Sequence, residues 1–275
     1  MLTPSVSGIL ISIGILIAML FSEYLLSTHP QEKRIGNKRL KATDRDILRS
    51  LITIVPFSLV GARLYHAVNY WNYYTNNPLE ILKTWNGGMG FYGALLGGIL
   101  AFLVFSFIKR APVFKFRFIV ISDFLFLSLP LAYAIGRWES FITRDIVGIP
   151  TKVPWAISVP FAFRPQGFKL YDSFHPVFLY ESFLCLLLFL GLYFVFRFVK
   201  RWKADGSISL LFLLGYSLIR LVTESMRIGI WKIGIYPTAS IISITILIVS
   251  IILLVKMYHH HFAKFFRKRI RATSL

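Results

Sequence analysis

Acidic residues are scarce in this chain: 12 Asp and Glu stand against 31 Lys and Arg, and charged residues of every kind fill only 16% of 275 positions. There is a single cysteine, Cys185, set within the apolar run Phe183–Leu190. An internal disulfide is therefore excluded, and the thiol reads as core. The HExxH and CxxC patterns of metal enzymes are missing, and the run His259-His260-His261 sits in a basic tail where surface decoration explains it better than a metal. No metal and no organic cofactor is expected. Internal repeats are also missing, which argues against an inverted-repeat transporter. The start MLTPSVSG lacks the basic stretch of a cleavable signal, so the first apolar run is expected to be retained.

What fills the chain instead is hydrocarbon. Hydrophobic residues make up 56%, the mean hydropathy is +0.66, and several apolar runs approach the roughly 20 residues that cross a bilayer. The expected fold class is an all-α polytopic membrane protein, one integral membrane domain over residues 1–275. Seven spans are expected, near Val6–Leu26, Ile47–Tyr70, Gly88–Ile108, Phe118–Gly136, Pro176–Phe196, Ile208–Arg227 and Tyr236–Met257. The formal charge of +19 is concentrated in alternate loops. Six basic residues from Lys33 to Arg45, four in Lys109–Arg117, four in Arg197–Gly206 and the tail 258–275 stand against only Lys83 in Trp71–Gly87. That alternation suits cytoplasmic loops and anionic headgroups rather than nucleic acid. It places the N-terminus outside and the C-terminus inside. Arg137–His175 becomes an external segment, where Pro150, Pro154, Pro160, Pro165 and Gly167 predict turns and short strands. Trp71, Tyr73, Tyr74 and Trp85 fit an interfacial aromatic belt.

Arg137 follows Gly136 at the end of an apolar helix. A guanidinium within hydrocarbon costs roughly 2.5 kcal/mol or more, so such a residue faces a cavity or a partner. The orientation brings others to the same outer half: Arg63 and His66 late in the second span, Tyr92 early in the third, His175 at the entry of the fifth. Tyr180 and Glu181 follow, with Glu181 about 9 Å below His175 along the helix. Tyr216, Arg220, Glu224 and Arg227 recur at i, i+4, i+8 and i+11 along one face of the sixth. Each has a plainer reading. Glu224 could simply pair with its arginine neighbours, and Arg63 and His66 could snorkel to the interface. Gly93 and Gly97 could serve only close helix packing. Taken together, arginines fixed by carboxylates where headgroups lie make an anion site suited to phosphate. Such a site either performs chemistry on a lipid or only binds and moves it. An ion transporter would need ionisable groups along the whole depth, and the inner halves are nearly bare.

At these residues the sequence resembles the prolipoprotein diacylglyceryl transferase family. GARLYHAVNYW (Gly61–Trp71), GGMGFYGALLGG (Gly87–Gly98), the stretch Asp123–Phe141 ending in GRWESF, HPVFLYES (His175–Ser182) and GYSLIRLVTESMR (Gly215–Arg227) match its segments in order. The resemblance implies a multi-pass enzyme of the bacterial cytoplasmic (inner) membrane, expected as a monomer. Its partners would be phosphatidylglycerol, membrane lipids and a prolipoprotein signal peptide carrying the lipobox cysteine. It implies catalytic roles for Arg137, Arg220, Tyr92, Glu181 and Asp145, and substrate contacts for Arg63, His66, Ser140, Gly148, His175, Tyr180, Tyr216, Glu224 and Arg227. Tyr92 stands where the family often has histidine, Ser140 where it has asparagine, and Thr143-Arg144-Asp145 where it has Asn-Gly-Glu. A diverged, non-catalytic lipid binder of the same fold is the alternative.

Overall fold

The computed structural model describes residues 3–29, 32–35, 38–41, 44–83, 90–108, 112–143, 147–199 and 204–273. Their main elements are helices α1 (Thr3–Thr28), α2 (Asp44–Asn69), α3 (Trp71–Asn76), α4 (Phe91–Ile108), α5 (Pro112–Gly136), α6 (Glu139–Thr143), α7 (Val177–Phe198), α8 (Ser207–Glu224) and α9 (Thr238–Thr273). Strands β1 (Glu32–Ile35) and β2 (Lys38–Lys41), β3 (Ile157–Ser158) and β4 (Ser173–Phe174), and β5 (Lys232–Ile233) and β6 (Tyr236–Pro237) form three antiparallel pairs. Each apolar run noted above is a helix. Among the described residues, five of them, within α1, α5, α7, α8 and α9, are long and apolar enough to cross a membrane. The apolar run of α9 ends near His259, yet the helix continues through the basic tail to Thr273.

The helices pair according to their small residues and their polar atoms. α2 and α4 approach closely because a Cβ on Gly61 would collide with the carbonyl oxygen of Gly93, and one on Gly93 with that of Gly61. This is the close backbone approach that small residues permit in a membrane bundle. α1 lies along α5, where Ser22 and Ser128 hydroxyls meet at 2.7 Å. Leu25, Phe124, Leu127, Cys185, Ile208 and Phe212 are fully buried where α1, α5, α7 and α8 converge. The thiol of Cys185 thus belongs to this core.

One buried carboxylate lies well before the end of α5 that carries Arg137. Asp123, on α5, accepts hydrogen bonds from the backbone N–H groups of Gly206 (2.7 Å) and Ser209 (2.8 Å) and from the Ser209 hydroxyl (2.8 Å). It caps the amino end of α8, where unsatisfied N–H groups and the helix dipole favour a negative charge. Buried carboxylates are thus not confined to the helix ends that carry Glu181 and Glu224.

Residues 137–175 form turns and short strands, with α6 as the only helix longer than one 3₁₀ turn among the described residues of the segment. Val147, Val159 and Phe174 make a small core of their own, with Phe168 and Ile228 packed against it. Backbone bonds from Ile149 N–H to Met226 O (2.9 Å) and from Ile228 N–H to Val147 O (3.2 Å) tie the segment to the end of α8. Gly148 pairs by backbone with Arg227, and a Cβ there would lie 2.6 Å from the His175 carbonyl oxygen, so only glycine fits without displacement.

Candidate functional site

Two helix ends, those of α5 and α8, deliver three arginines to one carboxylate on α7. Glu181, in the second turn of α7 and 1% exposed, takes Arg137 Nε at 2.6 Å on Oε2. Its Oε1 takes Arg220 Nη1 at 3.2 Å and Arg227 Nη2 at 2.5 Å, and accepts the Thr223 hydroxyl at 2.8 Å. Glu224 supports the same arginines from the side, with Oε2 2.8 Å from Arg220 Nη2 and 4.0 Å from Arg227 Nε. The helical spacing of Arg220 and Glu224 produces their pair directly, since residues four apart share a face. Arg137, just past the last turn of α5, reaches across to α7.

The cluster is buried: the three arginine side chains are 16%, 12% and 10% exposed, in sequence order. Three guanidiniums against two carboxylates leave one net positive charge. Isolated, such charges would carry a large desolvation cost; paired, they hold one another. The pairing is close but not fully aligned. Arg137 Nε, Arg220 Nε, Arg227 Nε, Glu181 Oε2 and Glu224 Oε2 are buried without a well-angled hydrogen bond, although the Arg137–Glu181 contact is within ion-pair distance. Distance governs the electrostatic attraction, so the ion pair stands, while the guanidinium donors retain hydrogen-bonding capacity. A buried, singly positive group of forked donors with spare capacity is suited to a monoanionic phosphodiester.

Aromatic hydroxyls surround the arginines. Arg137 Nη2 donates to the Tyr133 hydroxyl, one turn back on α5, and the guanidinium carbon lies 4.5 Å from that ring's centroid. Tyr216 donates to the same Tyr133 oxygen at 2.9 Å. Arg220 lies over the ring of Tyr92 at 6.0 Å. The Tyr92 hydroxyl is 2.5 Å from Ser243 Oγ on α9, which draws a fourth helix and a fifth into the site. Behind Tyr92 stands Tyr65, with ring centroids 6.3 Å apart.

The structure therefore brings together Arg137, Glu181, Tyr216, Arg220, Glu224, Arg227 and Tyr92. Two further residues, His175 and Tyr180, form a neighbouring group of their own, with His175 Nδ1 and the Trp155 indole N–H both on the Tyr180 hydroxyl, at 3.0 and 2.7 Å. Gly148 pairs by backbone with Arg227. Ser140 is buried just beyond Arg137, and its hydroxyl has no hydrogen-bond partner among the described residues. Arg63 and His66 are placed elsewhere. Arg63 donates to the backbone carbonyls of Glu80 (2.5 Å), Ile81 (2.8 Å) and Lys83 (3.1 Å), and lies 5.4 Å over Tyr74. His66 packs on the rings of Tyr70 and Tyr74. Asp145 lies outside the described residues. Tyr133 and Thr223 were not singled out by the sequence, though Tyr133 stands four residues before Arg137, the spacing that puts two side chains on one face.

Most of the chain has counterparts among known proteins. A family model described as prolipoprotein diacylglyceryl transferase matches residues 5–256. A phosphatidylglycerol–prolipoprotein diacylglyceryl transferase from Fervidobacterium nodosum is 36% identical over 243 residues, covering 88% of this chain and 77% of the relative. Proteins of the same name from Parasynechococcus marenigrum and Thermotoga maritima are 35% and 34% identical, over 84% and 82% of this chain and 79% and 75% of their own lengths. With a match of that extent, running through every helix that contributes to the arginine cluster, the chain belongs to the prolipoprotein diacylglyceryl transferase family.

Proposed function

We propose that this protein transfers the diacylglyceryl group of phosphatidylglycerol to the lipobox cysteine thiol of prolipoproteins. The observation that carries this reading is the convergence of Arg137, Arg220 and Arg227 on Glu181, with one net positive charge left for a phosphodiester. The names of the relatives supply the substrate classes.

In this reaction the cysteine sulfur attacks the diacylglyceryl carbon that bears the phosphate oxygen. The S–C bond forms as the C–O bond breaks, and the electron pair stays on the departing glycerol phosphate. The thiol proton passes to solvent or to that phosphate. Negative charge grows on the phosphate as the bond breaks, so cations fixed beforehand stabilise the transition state more than the ground state. Arg137 and Arg220 take the phosphate in this scheme. Glu181 and Glu224 keep the guanidiniums aimed, and Arg227 adds to the field. Tyr216 and Tyr133 fix Arg137 from behind. Tyr92, under Arg220, serves as a hydrogen-bond donor beside the thiol, and Ser140, Gly148, His175 and Tyr180 shape the approach. Asp145 is proposed as a further carboxylate orienting the arginines, and Arg63 and His66 as indirect contributors through the loop they hold.

The same reading takes all seven long helices as spans, with the N-terminus outside and the C-terminus inside the bacterial cytoplasmic membrane. Residues 137–175 lie on the outer face, and the protein acts as a monomer. Support comes from the alternation of basic loops and from the clustering of the arginines at one end of α5, α7 and α8. Purified protein incubated in vesicles with labelled phosphatidylglycerol and a lipobox peptide tests the activity. Lipidated peptide is expected with the parent protein and none with Arg137→Ala or Arg220→Ala. Parent protein that binds the lipid without lipidating the peptide would leave the family fold serving binding alone.

A further inference from the structure

Between α6 and α7 the chain folds back into a hairpin with an exposed apolar side. β3 and β4 pair Ile157 with Phe174 and Ser158 with Ser173, and the Val159 N–H continues the ladder to Asp172 O at 3.0 Å. Beyond that point one side chain closes the loop. Arg164 donates from Nε to Val159 O and from Nη1 to Lys169 O, each at 2.9 Å, and its Nη2 pairs with Asp172. Lys169 Nζ donates to Phe161 O at 3.1 Å. The loop is thus fixed by its own polar groups, and Phe168 turns inward onto the small core. Even so, Phe161, Phe163 and Leu170 are 64%, 55% and 95% exposed. Large apolar side chains held out by an ordered loop mark a surface that something else covers.

The location and the charge indicate what covers it. Trp155, itself exposed, donates its indole N–H to Tyr180 in the first turn of α7, so the hairpin lies beside the end of a membrane-length helix. That is the depth at which tryptophan and tyrosine concentrate in membrane proteins. Lys152, Arg164 and Lys169 against Asp172 leave two net positive charges on the hairpin. Arg164 and Lys169 flank the Phe161 ring, at 5.7 and 5.2 Å from its centroid. Apolar tips with cations behind them are the chemistry of an interfacial anchor on an anionic leaflet.

We propose that this hairpin is a membrane-surface anchor, with Phe161, Phe163 and Leu170 inserted at the headgroup–acyl boundary of an anionic bilayer and Lys152 and Lys169 against lipid phosphates. The anchor presses the segment onto the bundle where Gly148 pairs with Arg227, at the edge of the arginine cluster. The inference rests on the membrane reading above and not on the transfer reaction.

The test uses the full chain with Leu170→Cys, and separately Phe161→Cys, carrying an environment-sensitive fluorophore. Cys185 is replaced by Ala to leave one labelling position. Reconstitution is into vesicles of phosphatidylglycerol and phosphatidylethanolamine. A blue-shifted emission, quenched by lipids brominated near the head of the acyl chain and resistant to aqueous iodide, is expected at both positions. Lys152→Gln should lower the ratio of inserted to withdrawn fluorophore about fivefold in these vesicles and leave it unchanged in zwitterionic ones, as roughly 1 kcal/mol per surface cation implies. Iodide quenching at both positions without lipid quenching would overturn the anchor. So would shielding that appears only when a lipobox peptide is added, since the surface would then belong to the polypeptide. Arg137→Ala should leave the lipid quenching intact while removing transfer, which separates failure of the anchor from failure of the enzymatic reading.

Discussion

Asp123 and Ser209 are joined twice, the backbone N–H and the hydroxyl of Ser209 both donating to Asp123 Oδ1 at 2.8 Å. Because α5 and α8 run in the same direction from this lock, it sets which residues meet further along. Tyr133 meets Tyr216, and Arg137 and Arg220 then reach Glu181 from the two helices. The lock lies about 21 Å from Arg137 along α5, at 1.5 Å per residue, so it acts through register and not through contact.

Asp123→Ala is expected to lower the melting temperature of the detergent-solubilised protein, because the buried Ser209 N–H and the partly buried Gly206 N–H lose their acceptor and the Ser209 hydroxyl keeps only Ser122. Each buried unsatisfied group costs about 1–3 kcal/mol. Transfer activity should fall with it as α8 loses its fixed register, and Asp123→Asn, which keeps an acceptor oxygen, should recover part of both. Equal melting curves for Asp123→Ala and the parent would show that the register is set elsewhere.

Glu181 is where a single substitution touches all three arginines. Glu181→Gln keeps the shape and removes the charge, leaving three guanidiniums facing Glu224 alone. Breaking a buried charge pair costs about 3–5 kcal/mol, and loss of aimed cations lowers a rate on the order of 100-fold. Both should appear, as a reduced melting temperature and a reduced turnover at saturating phosphatidylglycerol. Unchanged turnover would remove the shared carboxylate from the mechanism.

Much of this was legible in the sequence where it depended on one element at a time. Arg220, Glu224 and Arg227 recur at helical spacing, and the Arg220–Glu224 pair follows from the geometry of α8 alone. The apolar runs marked where each helix crosses, since length and hydropathy suffice for that, but not the polar extensions of α5 back to Pro112 and of α9 on to Thr273. What depended on two distant elements was not legible. Arg63 lies three residues from His66 and looked like part of the polar outer end, yet its donors meet carbonyls of a turn at Glu80–Lys83, a pairing that only the path of the loop determines. Thr223 was indistinguishable from any helical threonine until α7 brought Glu181 within 2.8 Å. Asp123 was visible only as part of a motif, and its role required knowing where α8 begins.

Thr223 and Tyr133 support the cluster without adding charge. Thr223→Val removes the hydroxyl on Glu181, and Tyr133→Phe removes the acceptor of Arg137 and Tyr216. Each hydrogen bond of this kind is worth about 1 kcal/mol, so Thr223→Val, which loses one, should fall about fivefold in kcat/KM, and Tyr133→Phe, which loses two, about 30-fold. The double variant should depart from the product of the two, because both residues act through groups that share Glu181. Strict multiplicativity would show that the two hydroxyls act independently.

Arg63 and Arg137 provide the sharpest contrast, because both are buried arginines that the sequence grouped together. Arg137 bridges Glu181 and the Tyr133 hydroxyl with separate nitrogens, a fork that a lysine ammonium cannot reproduce. Arg137→Lys should therefore abolish transfer while the protein remains inserted and folded. Arg63 spends its donors on backbone carbonyls and lies over Tyr74. Arg63→Ala should lower the melting temperature by removing the donor that three half-buried carbonyls share, at about 1 kcal/mol for each hydrogen bond lost, with kcat/KM per folded molecule close to the parent. Melting curves and transfer rates on the same preparations separate the two. An Arg63→Ala protein that melts like the parent but no longer transfers would move Arg63 from the loop's support into the substrate site.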